Sequence, residues 1–167
     1  MRINSFLPGC DATVEFDGYV PMIARVKGDF QFPPNYWRTG DFKQSLVEIG
    51  VDKSTGAICK VAVVSLNKLH NDAAEKADLD SIGLGLPCVK TDAWNNSTIR
   101  IDVEQEVSAS LIDDRLVIQF GSVETHFRNA VRCGRLVFQV GDENILCGIE
   151  VTDLSPKEIE NFRYSIM

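Results

Sequence analysis

The chain has 167 residues, 44% of them apolar, and a formal net charge of −7 from 24 acids and 17 bases. That length suits one domain over residues 1–167, large enough to bury a core without a metal or a disulfide. An acidic chain repels nucleic acid and anionic membrane and attracts basic partners. No apolar run approaches the ~18 residues of a spanning helix.

At the start, Met1–Gly9 carries one basic residue and a Pro8-Gly9 break, so no secretory signal is read and a cytoplasmic location is expected. Thr13–Asp17 alternates as a strand until Gly18, and Pro21–Lys27 is a second strand closed by Gly28-Asp29. Residues 30–40 are aromatic and hold Pro33-Pro34, which predicts a loop, because adjacent prolines exclude both helix and central strand. Ser45–Val51 and Ala57–Leu66 flank Asp52-Lys53-Ser54-Thr55-Gly56, the clearest hairpin in the chain. The return strand is apolar on both faces near Val61–Val64, which places it centrally in a sheet.

Residues 67–97 read as irregular. Asn67–Asp78 suits a short helix, and the remainder, with Gly83, Gly85 and Pro87, reads as a loop long enough to be functional. Thr98–Glu104 alternates strictly, and Val107–Leu111 continues extended to a turn at Ile112–Arg115. Leu116–Phe120 then returns. Residues 122–134 fit a short helix or an extended crossover, and the pattern leaves both open. Arg135–Val140 and Ile145–Val151 form a third hairpin around Gly141–Asn144. Ser155-Pro156-Lys157-Glu158 is a capping box with proline at the first helical position, and Ile159, Phe162 and Ile166 line one face of the helix that follows. No repeat is evident. The expected class is α+β and mainly β: an antiparallel sheet or sandwich of hairpins, with one to three short helices, one of them C-terminal.

Little in the sequence points to catalysis. Five cysteines at wide spacings, with no Cys-x-x-Cys pair, read as structural thiols. Cys133, between Arg132 and Arg135, is the best nucleophile candidate, with His126 as its partner; a plain thiol before a strand is the preferred reading. His70 and His126 have no second ligand at metal spacing, Gly83-Leu84-Gly85 is no phosphate loop, and the acids of 72–80 lack the calcium-loop pattern. No cofactor and no metal are expected. Asp113-Asp114 and Asp142-Glu143 read as solvated turn residues.

Binding is better supported. Residues 72–106 hold 8 acids and 3 bases, so most of the negative charge lies in one stretch. Asp72, Glu75, Asp78, Asp80 and Asp92 supply carboxylates, and Tyr36, Trp37 and Trp94 supply loop aromatics of the kind that anchor interfaces. Together they make the expected partner-binding patch. The competing readings are an adaptor that binds by strand addition at exposed sheet edges and, third, a small hydrolase.

Two segments, Ser45–Asp52 running to Gly56 and Gly148–Ser155, resemble the strands and closing helix of small strand-rich immunity proteins from contact-dependent growth inhibition and related polymorphic-toxin systems. The resemblance covers about half the chain and rests on structural motifs, so it carries over no binding residue. It implies a cytoplasmic antitoxin whose partner is a cognate toxin domain, such as a basic nuclease.

Overall fold

The computed structural model describes residues 1–67, 69–70, 74–94, 98–121 and 127–166. The strands are β1 (Ile3–Leu7), β2 (Ala12–Glu15), β3 (Met22–Val26), β4 (Asn35–Gly40), β5 (Leu46–Val51), β6 (Ile58–Ser65), β7 (Gly83–Leu84), β8 (Leu86–Val89), β9 (Arg100–Glu104), β10 (Val107–Ile112), β11 (Arg115–Phe120), β12 (Asn129–Cys133), β13 (Leu136–Val140) and β14 (Leu146–Val151). Helix α1 (Pro156–Ser165) closes the chain. The fold is mainly β with one C-terminal helix, as its alternating patterns require.

Two six-stranded sheets face each other. The first runs β2-β3-β6-β5-β4-β9 and the second β10-β11-β14-β13-β12-β7; β1 and β8 pair separately. Every second residue of the central strands points between the sheets. Val47, Ile49, Val61 and Val63 from one meet Leu116, Ile118, Phe138 and Ile149 from the other in a single apolar cluster. Trp37 meets Phe120 edge-on across the interface, with ring centroids 5.8 Å apart. Helix α1 has the expected capping box, in which Ser155 accepts from the Glu158 amide, and it buries Phe162 edge-on against Phe16.

The two sheets repeat one another. Each is a hairpin followed by a three-stranded meander, and each carries a parallel edge strand beside the meander's first strand. Register makes the match residue by residue. The ladder Val14–Ala24–Val61–Ile49–Trp37–Ile101 in the first sheet corresponds to Ala109–Ile118–Ile149–Phe138–Val131–Gly83 in the second. Strands β6 and β14 then align as Ile58-Cys59-Lys60-Val61-Ala62-Val63 and Leu146-Cys147-Gly148-Ile149-Glu150-Val151. Strands β4 and β12 share the pattern Asn-x-x-Arg-x-Gly, as Asn35, Arg38 and Gly40 and as Asn129, Arg132 and Gly134. Both glycines are forced: Gly40 has φ +144° and Gly134 φ +58°, and a Cβ at Gly40 would lie 2.1 Å from the Ser45 carbonyl oxygen. The repeat escaped the sequence because it resides in register and burial, with few identities.

Several expectations are corrected. Residues 35–40 form β4 inside the first sheet, because Pro33 and Pro34 end the loop before the first ladder bond and so remove no donor from it. The described part of 67–78 is not helical, and β7 and β8 lie within the expected loop. The extended run expected over 98–111 splits: β10 pairs with the returning β11, whereas β9 crosses to lie parallel to β4. Residues 129–133 are extended, while 122–126 lie outside the described residues. Cys10 and Cys133 form a disulfide with Cα atoms 5.1 Å apart, so not all five cysteines are thiols. No helix among the described residues is long and apolar enough to cross a membrane.

The β5–β6 turn shows how buried charge is tolerated here. Asp52 is fully buried, and its carboxylate accepts from the Gln31 amide, from the Ser54 hydroxyl and from both the amide and the hydroxyl of Thr55. Burial alone would raise its pKa; the donors outweigh burial and bring it down to about 2. A depressed folded-state pKa contributes stability that is present above the unfolded value of 3.8 and lost as pH falls toward 2. Asp52→Ala is therefore expected to cost about 2 kcal/mol at pH 7 and to flatten the stability profile between pH 4 and 2. Urea titrations across that window check this; an unchanged slope would assign the acid sensitivity elsewhere.

Candidate functional site

The structure divides the expected patch between two places. The first is a cleft of about 340 Å³ lined by Trp37, Ile101, Val89, Trp94, Lys90 and Arg2. Trp37 points inward from β4 and is only 4% exposed, so it forms the floor rather than a protruding anchor. Trp94 is half-buried; its indole N–H donates to the Tyr36 carbonyl at 3.1 Å, which leaves the ring face as a wall. The turn carrying it is closed by the Trp94 amide on the Thr91 carbonyl, and Asp92 is exposed within that turn. Lys90 is exposed and makes no ion pair among the described residues, whereas Arg2 reaches Glu143 at 2.6 Å.

Tyr36 does not join the cleft. Alternation along β4 places it on the outer face of the first sheet, where the Lys60 ammonium lies 5.8 Å from its ring centroid. That face is a ladder of charge: Arg38 binds Asp102 through two hydrogen bonds of 2.7 and 2.6 Å and approaches Glu48 at 3.9 Å. The same pairing depresses the Asp102 pKa.

The second place is a strap. Residues 74–82 cross the outer face of the second sheet, where Ala77 packs on Ala130 and Val137 beside Leu79, Ile82 and Phe127. Its backbone is pinned from beneath. Glu150, wholly buried in β14, accepts from the Ala77 amide and, at 2.7 Å, from the Gln139 side-chain amide. That amide also donates to the Glu75 carbonyl at 3.0 Å, and Arg115 donates to the Ala77 carbonyl at 2.7 Å. The second Glu150 oxygen has no hydrogen bond among the described residues and faces Arg115 across 3.5 Å. A buried carboxylate held by that many donors fixes the strap's path.

Glu75, Asp78 and Asp80 therefore stand exposed on an ordered backbone, with Lys76 turned to Asp113 at 2.8 Å. Asp72 lies outside the described residues, as does His126. No protein-family model matches the chain, and no curated protein matches it either.

Other sequence expectations resolve simply. Cys133 is fully buried and bonded to Cys10, which overturns it as an accessible nucleophile. Cys59 and Cys147, at matching positions of the repeat, are buried, and burial pushes both thiols up to about 11. Among the described residues no group of three His, Cys, Asp or Glu is placed to hold a metal. Sequence reasoning missed Gln139, Arg115 and Glu150. The signal was present: Glu150 is a charge inside an otherwise apolar strand, and such a residue is kept only where a partner awaits it.

Proposed function

We propose that this chain is an immunity protein that binds and neutralises a cognate, basic toxin domain in the cytoplasm of the producing cell. The observation that carries the reading is the strap: exposed carboxylates on a backbone held by Glu150, Gln139 and Arg115. Carboxylates held in place lose little entropy on binding, steer a basic partner and mimic the phosphates a nuclease would engage. The overall charge of −7 favours the same class of partner. The test is co-expression with the C-terminal fragment encoded by the neighbouring upstream reading frame, scored by host growth and co-purification. Toxicity abolished by a tightly bound complex supports the reading. Toxicity unchanged by this chain, or a harmless fragment, removes it.

One observation favours an adaptor instead. β9 ends the first sheet, and no described strand pairs with its outer edge. A partner strand added there would extend the sheet. Stable hetero-assembly that survives high salt would favour that mode over charge steering.

A further inference from the structure

We propose that the cleft between Trp37 and Trp94 binds a flat, apolar small molecule bearing a carboxylate. The cleft lies within the size range of small-ligand sites, roughly 300–1,000 Å³, and has their make-up: an apolar interior with few polar groups. The flat body follows from the walls. Trp94 has its N–H occupied and lines the cleft together with the apolar side chains of Trp37, Val89 and Ile101. The anionic group follows from the charged side chains of the lining: Lys90, which makes no ion pair among the described residues, and Arg2, which is shared with Glu143. An aromatic cage for a cation would carry the opposite lining charge.

The internal repeat confines this surface to one half of the fold. At the matching register positions of the second sheet, Trp37 is replaced by Val131 and Ile101 by Gly83. The framework residues around them match: Asn35 with Asn129, Arg38 with Arg132 and Gly40 with Gly134. The second sheet therefore carries no counterpart of the Trp37–Ile101 surface. The inference does not depend on the toxin reading.

Naphthalene-2-carboxylate is a suitable probe, with naphthalene-2-methanol and naphthalene-2-methylammonium as neutral and cationic comparators. The chain has 2 tryptophans and both line the cleft, so the two indole N–H resonances report occupancy directly. The carboxylate is expected to shift both saturably at submillimolar concentration, the alcohol at least roughly tenfold more weakly, and the ammonium not at all. Lys90→Glu, at an exposed position, should weaken the carboxylate by a similar factor with unchanged thermal unfolding; Trp94→Ala should abolish the shift of the remaining indole. Absence of saturable shifts for all three probes would overturn the proposal. So would equal affinity for the three, or carboxylate binding indifferent to Lys90→Glu.

Discussion

Glu150→Ala is expected to destabilise the fold by about 3–5 kcal/mol and to free the strap over residues 74–82. Glu150 is fully buried and joins the Ala77 amide, the Gln139 amide and the Arg115 guanidinium. Removing it strands two buried donors, at about 1–3 kcal/mol each, and leaves Arg115 facing a cavity. Arg115 keeps its bond to the Ala77 carbonyl and is 21% exposed in its side chain, which holds the total below that of a fully buried unpaired charge. The repeat supplies an internal control. Ala62 occupies the equivalent position in β6, so the strand geometry accepts alanine, and the cost is attributable to the strap. Urea denaturation gives the stability change, and hydrogen exchange at the Ala77 amide reads the strap itself. A loss under about 1 kcal/mol with full protection of that amide would show that the strap is held by apolar packing alone.

What the sequence revealed and what it concealed divide along a physical line. The hairpins around Asp52–Gly56, Asp113-Asp114 and Gly141–Asn144 were legible because turn chemistry and two-residue alternation are local. The capping box at Ser155 was legible for the same reason. The β9–β4 pairing was not, because a parallel edge strand drawn from 64 residues away leaves no local mark at either end. The loop expected over 30–40 ends at Pro34, and the residues after it are free to pair as β4. A proline removes its own amide alone. The site was half legible. Trp37 and Trp94 do line one cleft, and Glu75, Asp78 and Asp80 do stand exposed, but on the strap that crosses the second sheet. Alternation separates Tyr36 from Trp37, a consequence available in principle once residues 35–40 are recognised as a strand. Spatial partners such as Gln139 and Glu150 belong to register, and register is fixed by the whole sheet.

Reversing Glu75, Asp78 and Asp80 together to Lys is expected to slow association with a basic toxin by roughly 10–100-fold at low salt. The reasoning is one of range. Exposed charges act over a Debye length of about 8–10 Å at 0.1–0.15 M salt, so they guide encounter and add little to the energy of the docked complex. The substitutions leave Ala77, Gln139, Arg115 and Glu150 untouched, so the strap should keep its path and thermal unfolding should change little. Dissociation should change less than association, and the salt dependence of the association rate should flatten or invert. Asp78→Lys with Asp80→Lys alone should give an intermediate effect, because the steering field is a sum over the strap's charges. Stopped-flow association at two or more ionic strengths decides the matter. A slowed, salt-flattened association places the toxin against the strap. An unchanged rate in a complex that still neutralises would move the binding surface elsewhere, and the open edge at β9 would be the next place to test.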